Sequence, residues 1–215
     1  MKLDLFVDTS RKGISMGLSD STSGLYQETV DASARGETAS AILDDLLARV
    51  GAKLDDIKRV LVTVGPGSFS GLRTGVAFCQ GLCFSGKREL CGVSTLQALE
   101  CFGGNDNSAE VAVVIRARPG YWYLRQTVDG KAEESFIETT EVVERLKAHP
   151  VKTVVVDEAA SADETLSALF AEIAAAAVLD TGKPLNMWTS LFTKVPPSLI
   201  QEANYIQPSY FEKLK

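Results

Sequence analysis

The stretch that most constrains this chain runs from Leu61 to Gly81, LVTVGPGSFSGLRTGVAFCQG. Arg59-Val60-Leu61-Val62-Thr63-Val64 has the β-branched density of a buried strand. It runs into Gly65-Pro66-Gly67-Ser68-Phe69-Ser70-Gly71, and a helical pattern follows at Leu72, Val76, Cys79, Leu82 and Cys83. Strand, glycine-rich turn and helix in that order aim free backbone N–H groups at an anion. The spacing departs from three known codes. A Walker loop counted from Gly65 needs a second glycine where Ser70 stands, then Lys-Ser/Thr where Gly71-Leu72 stand. A dinucleotide fingerprint has two residues, not three, between its second and third glycines. A nucleophile elbow needs glycines where Pro66 and Ser70 flank Ser68. The loop has the shape of a phosphate cradle without a catalytic side chain.

In the helix that follows, Gly71, Gly75 and Cys79 recur every fourth residue, so one flank is nearly bare and admits a close neighbour. The opposite flank carries Leu72, Val76, Leu82 and Phe84, with Phe78 between. A helix apolar nearly all round is buried on both sides. The cover is either a second layer of the same domain or another subunit.

The chain has 215 residues, enough for one large or two small domains, and 45% of them are hydrophobic. No apolar run approaches the ~20 residues of a membrane helix, and the opening Met-Lys-Leu-Asp-Leu-Phe-Val-Asp reads as a strand rather than a signal peptide. The net charge of −6 lacks the basic field that carries nucleic-acid affinity, so direct nucleic-acid binding is not expected. Cys79, Cys83, Cys91 and Cys101 sit in apolar surroundings without a Cys-x-x-Cys pair, as buried thiols of a cytoplasmic protein do. A single histidine, His149, argues against a metal site.

Along the chain, Lys2–Asp8, Ile14–Ser19 and Gly24–Val30 read as a three-stranded meander, with Asp8-Thr9-Ser10 at the end of the first strand. These three residues also suit a purely structural Asx or Ser/Thr turn. Gly36-Glu37-Thr38 opens a helix to about Val50, closed by Gly51. Glu89–Val93 reads as a strand, and Ser94 caps a helix over Thr95–Cys101. The break at Gly103–Ser108 places a domain boundary between 104 and 105. The second part reads as strands at Glu110–Ile115, Tyr121–Val128 and Glu133–Ile137, then a helix from Thr139 to Ala148 that His149-Pro150 ends. A strand at Val151–Val156 and a helix at Ala162–Ala171 follow. Periodicity leaves Ala174–Leu179 undecided between strand and helix. Helices are expected at Pro184–Phe192, with Trp188 buried, and from Ser198.

The run Gly-Pro-Gly-Ser-Phe-Ser-Gly-Leu-Arg-Thr-Gly-Val-Ala from Gly65, with Gly81-Leu82 and Gly92-Val93-Ser94-Thr95-Leu96-Gln97-Ala98-Leu99, resembles the signature of the TsaB (YeaZ) family. The resemblance implies an α/β protein of two actin-like (ASKHA, ribonuclease H-like) subdomains, each a mixed sheet with helices. The N-terminal subdomain would span 1–104 and carry the partner-binding helices. A smaller one would span 105–215, its last helix packing back on the first. Asp8, Thr9 and Ser10 are similar to the first phosphate motif of that superfamily, and with Gly65, Gly67, Ser68 and Gly71 would form vestigial phosphate loops. Catalytic TsaD-type relatives carry a metal-binding histidine pair where Glu37, Thr38 and Ser40 stand here, which implies the metal-free branch. The family's Asp-Ala-Arg-x-Gly-x-Val-Tyr motif reads Arg116-Ala117-Arg118-Pro119-Gly120-Tyr121-Trp122-Tyr123, with Arg116 for Asp. Gln207-Pro208-Ser209-Tyr210-Phe211 is similar to its C-terminal Pro-x-Tyr-Leu-Arg.

By the same resemblance the chain is a non-catalytic subunit. It binds and activates a TsaD-type threonylcarbamoyl transferase that makes threonylcarbamoyladenosine next to the tRNA anticodon from threonylcarbamoyl-AMP, and a TsaE-type ATPase joins the complex. No cofactor is expected of the subunit itself, a nucleotide at the partner interface apart. The expected interface, shared with a homodimer when the protein is alone, is Ala39, Ile42, Leu43, Leu46, Leu47, Leu72, Gly75, Val76 and Cys79. Gly75→Leu is then expected to abolish partner binding and leave the monomer folded. Two alternatives compete. An enzyme, either a glycoprotease-type peptidase or an actin-like kinase, would need Ser68 or Ser70 activated, or Asp8 and Asp157 holding magnesium. A self-associating structural protein would use the same helices about a two-fold axis.

Overall fold

The computed structural model describes residues 2–20, 25–31, 38–103, 108–180 and 186–206. They divide into two compact units: Met1–Ala98 with Gly182–Tyr205, and Leu99–Thr181 with Ile206–Lys215.

In the first unit, β1 (Leu3–Asp8), β2 (Ile14–Asp20) and β3 (Leu25–Asp31) form the antiparallel meander read from the sequence. After helix α1 (Ala39–Arg49), β4 (Ile57–Gly65) lies parallel to β1. Helix α2 (Phe69–Cys83) leads to β5 (Glu89–Ser94), parallel to β4, giving the order β3-β2-β1-β4-β5. Every residue of the central β1 is buried, because both faces of the sheet are covered. Leu3, Leu5 and Val7 share a core with Leu43, Leu46 and Leu47 of α1 and Val76 and Cys79 of α2. Phe6, on the alternate face, meets Trp188 edge-on at 6.2 Å and Phe192 at 5.8 Å. Trp188 donates its indole N–H to the carbonyl of Ala98 at 2.9 Å.

The second unit repeats the plan. β6 (Val111–Arg118), β7 (Tyr121–Val128) and β8 (Lys131–Glu138) form a meander, and α4 (Thr139–Ala148) follows. β9 (Thr153–Val156) lies parallel to β6, and β10 (Ala176–Leu179) parallel to β9. The order β8-β7-β6-β9-β10 matches that of the first sheet strand for strand. Asp129-Gly130, both at positive φ, turn β7 into β8 with Val128 opposite Lys131. Ala112, Val114, Trp122, Leu124, Val142 and Leu146 form the core with Leu166 and Phe170.

The division falls within α3 (Thr95–Glu100) rather than between 104 and 105, and residues 186–205 pack with the first unit rather than the second. The loop at Gly103–Ser108 is rich in turn formers, but the contacts that define a unit are set by burial. Trp188 and Phe192 are buried on the β1 sheet, carried by a 3-10 helix over Asn186–Thr193. The helix expected from Ser198 is instead irregular chain. The helix expected over Ala162–Ala171 is α6 (Glu164–Glu172), and a separate short helix, α5 (Glu158–Ser161), precedes it; Asp163 and Asp157 cap them. The undecided segment is the strand β10, and the helix opening at Ala39 is closed by Gly51 at φ +64°. Gly36 and Glu37, Gly104–Asn107, Pro184 and the motif at 207–211 lie outside the described residues.

Candidate functional site

The C-terminal ends of the parallel strands β1 and β4 bring the two sequence-predicted loops together. Asp8 ends β1, and its carboxylate is 3% exposed. One oxygen accepts from the Ser10 amide at 2.9 Å, the Ser10 hydroxyl at 2.6 Å and the Thr63 hydroxyl at 2.7 Å. The other accepts from Arg11 Nε at 3.0 Å and is paired with the same guanidinium through Nη2. Burial alone pushes this carboxyl up, but the Arg11 charge and the bonds from Ser10 and Thr63 outweigh it and hold Asp8 below the usual carboxylate range. The side chain clamps the β1–β2 turn to β4, with its acceptor capacity taken up. Thr63 was missed in the sequence; its signal was a polar residue inside Leu61-Val62-Thr63-Val64.

The Gly65–Gly71 loop lies directly on this turn. The Ser68 amide donates to the Ser10 carbonyl at 2.6 Å. Ser68 Oγ accepts from the Gly71 amide at 3.3 Å and caps α2. Two of the donors that would cradle a phosphate are thus used within the loops. Gly65 belongs to a different contact, since a Cβ there would stand 2.0 Å from the Asn204 carbonyl oxygen. Beside the loops is a cavity of about 430 Å³, lined by Thr9, Arg11, Lys12, Ser70, Thr74 and Phe78 among others. Hydroxyls and two cations suit an anion there. Arg11 and Lys12 were missed, although they follow the Asp-Thr-Ser turn in sequence.

The bare flank of α2 meets the chain's own β1–β2 turn. A Cβ at Gly71 would stand 2.2 Å from the Thr9 carbonyl oxygen, and one at Gly75 would stand 2.1 Å from Thr9 Oγ1. That neighbour corrects the expectation that the flank waits for a helix of another subunit. Ala39, Leu43, Leu46, Leu47, Leu72, Gly75, Val76 and Cys79 are likewise buried within the first unit, and Ile42 is half-buried against its core. The sheet covers the apolar stripes that the sequence reading left open. A third side of α2 carries the irregular segment Ser198–Tyr205. Gln80 donates to the Gln201 carbonyl at 3.2 Å, Phe69 stacks on Tyr205 at 4.9 Å, and the Arg73 guanidinium lies 4.1 Å from the Phe69 ring.

The other candidates are in the second unit. Asp157 accepts from the Ala160 amide as a helix cap and from the Arg116 amide, both at 2.8 Å. The Arg118 guanidinium lies 4.1 Å over the Tyr121 ring and 5.3 Å from that of Phe136. His149 is exposed and ends α4. Among the described residues, no group of three His, Cys, Asp or Glu side chains could hold a metal ion.

Two five-stranded mixed sheets of one strand order, the first with the Asp8 carboxylate locked at the end of its central strand, define an α/β protein of the duplicated, actin-like fold. The chain belongs to the TsaD family: the model described as tRNA N6-adenosine threonylcarbamoyltransferase matches residues 31–183, more than half of its length. A curated relative, the tRNA threonylcarbamoyladenosine biosynthesis protein TsaB of Escherichia coli (strain K12), is 37% identical over 84 residues, covering 38% of this chain and 36% of the relative. TsaB of Haemophilus influenzae is 32% identical over 96 residues, 44% of this chain and 41% of that protein. The chain thus spans about two-fifths of the length of these relatives in the matched segments. The crystal structure of a Pseudomonas aeruginosa protein described as similar to peptidase YEAZ superposes with a TM-score of 0.67 at 21% identity, over 96% of this chain and 100% of the other.

Proposed function

We propose that this protein is the TsaB-type, non-catalytic subunit of tRNA threonylcarbamoyladenosine biosynthesis, binding and activating a TsaD-type transferase. The observation that carries this reading is Asp8. At the position where an actin-like ATPase handles phosphate, its carboxylate is consumed by Ser10, Thr63 and Arg11. The subunit then supplies no proton, metal or nucleophile and holds no cofactor of its own. It acts by favouring the partner's active conformation, an effect bounded by its differential affinity for the two states. A TsaE-type ATPase joins through the complex in the cytoplasm. The subunit itself touches neither membrane nor nucleic acid.

The binding surface remains α1 and α2, but through what they present outward. Ala41 and Asp45 of α1 and Thr74, Ala77 and Gly81 of α2 are exposed, with Phe78 half-buried beside them. Thr74 and Phe78 line the same cavity as Ala39 at the start of α1, so the two helices offer a continuous strip. A homodimer would use this strip when the partner is absent.

The test is copurification with a TsaD-type transferase, followed by nucleoside analysis of tRNA incubated with threonylcarbamoyl-AMP. The reading expects a stable complex and modification that depends on this chain. Ala77→Arg should abolish both without unfolding the protein. Modification at full rate by the transferase alone contradicts the proposal.

A further inference from the structure

We propose that the cavity of about 540 Å³ at the other end of the first sheet, lined by Lys2, Lys58, Arg59, Lys87, Arg88 and two acidic residues, binds a compact polyphosphate anion. The ligand class is free pyrophosphate or the phosphate tail of a nucleotide. The site lies at the N-terminal ends of β1, β4 and β5, remote along the strands from the Asp8 turn, and does not rest on the proposed function.

Sheet register creates the cluster. Leu3 pairs with Ile57, Asp4 with Arg59, and Arg59 with Glu89, so the three strand starts and their cations stand side by side. The two acids do not cancel them. Asp4 is engaged by Arg59 Nε at 2.7 Å, and that guanidinium also covers the Phe192 ring at 4.3 Å. Lys2, Lys58 and Lys87 remain with Arg88, opposed by Glu89 in the lining and by Asp55 and Asp56 beside it, which leaves the cations in excess by one. Lys58 reaches a neutral acceptor, the Asp55 carbonyl, at 2.6 Å.

Arg88 supplies the second observation. It is 8% exposed, its terminal nitrogens donate to the Leu82 and Leu54 carbonyls, each at 2.9 Å, and one of them also reaches the exposed Asp55 carboxylate at 3.4 Å. Its Nε is buried with no acceptor. A desolvated guanidinium with a donor left over is rare in a folded protein, and an anionic oxygen would satisfy it. In a chain of net charge −6, one concave site with surplus positive charge focuses the field on a small anion. None of the described residues lining it is aromatic, so the lining grips phosphate oxygens and leaves a base unread.

The experiment is titration of the full chain with inorganic pyrophosphate at low salt, by calorimetry and by amide shifts of Gly86–Glu89. Binding should be at least tenfold tighter than that of orthophosphate or sulfate. It should weaken at least tenfold in Lys58→Glu/Lys87→Glu, with Lys87→Glu alone as the second variant if the pair fails to fold. ATP binding as tightly as pyrophosphate, with adenosine inert, assigns the phosphate tail of a nucleotide; pyrophosphate binding at least tenfold tighter than ATP assigns the free anion. Three results overturn the proposal: no binding, affinity unchanged in the variants, or a single-stranded RNA oligomer that outcompetes pyrophosphate through the same lysines.

Discussion

Thr9 lies against the α-carbon of Gly75 so closely that a methyl group on that carbon would stand 2.1 Å from Thr9 Oγ1 and 3.0 Å from its Cγ2. The contact joins the turn after β1 to the middle of α2, and it turns an apparent docking flank into an internal joint of the first unit.

Gly75→Leu therefore damages the fold before it reaches any partner. Overpacking of this kind costs about 1–3 kcal/mol. Gly75→Ala is the sharper test, because alanine gains ~1 kcal/mol of helix propensity over glycine. Crowding against Thr9 should reverse that gain and lower the midpoint of denaturant unfolding. Thr9→Ala should be nearly neutral alone, since the buried hydroxyl has no hydrogen-bond partner, and should rescue Gly75→Ala in a double-mutant cycle. Additive effects of the two substitutions contradict the joint.

The Asp8 clamp has a pH signature. Its folded pKa lies below the ordinary carboxylate value, so its contribution is fully present above about pH 4 and is lost as pH falls through the folded pKa. Asp8→Asn should destabilise the protein at neutral pH and flatten the acid limb of stability. Asp8→Ala, which removes the Arg11 guanidinium's bonds to Asp8, should cost less than the about 3–5 kcal/mol of a fully buried pair, because Arg11 is partly exposed. Chemical denaturation from pH 7 to pH 3 measures both.

Trp188 tests whether residues 186–193 belong to the first unit. It is buried against Phe6 and bonded to Ala98, so Trp188→Ala should cost about 3–5 kcal/mol there. Trp122, in the core of the second unit, remains as a fluorescence reporter. Its transition should hold while the first unit's melts earlier by circular dichroism.

Thiol labelling probes the core from another side. Burial pushes the Cys79 thiol well up and the Cys83 thiol to about 11, and Cys91 is also raised. At pH 8 a thiol reagent should modify the half-buried Cys101 first, and Cys79 and Cys83 only on unfolding. Peptide mapping after a short pulse decides it; early labelling of Cys79 contradicts the buried α2 flank.

Local chemistry was legible in the chain. Val60–Val64 reads as a strand because its residues suit only a buried sheet, and Gly51 and Ser94 mark helix ends because each fills a cap. The two loops were legible for the same reason. What covers an apolar face was not. Periodicity places Leu43 and Leu47 on one stripe of α1, but the same stripe serves a sheet or a subunit equally. Gly71 and Gly75 announce a close neighbour without naming it, and the neighbour is a turn more than sixty residues earlier. The segment after Ser198 is held by backbone bonds, Ser198 to Leu90 and Asn204 to Val64, which any residue can make, so no pattern marks it. Asp129-Gly130 was a readable hairpin signal that sets the start of β8 two residues earlier than the strand pattern did.

The most direct measurement of the central claim is the rate of threonylcarbamoyladenosine formation by a TsaD-type transferase supplied with the Ser68→Ala/Ser70→Ala variant of this protein. The account predicts stimulation equal to wild type once the complex is saturated, because the subunit contributes a surface and not a reacting group. Stimulation lost while the complex and the fold persist would show that this chain takes part in the chemistry.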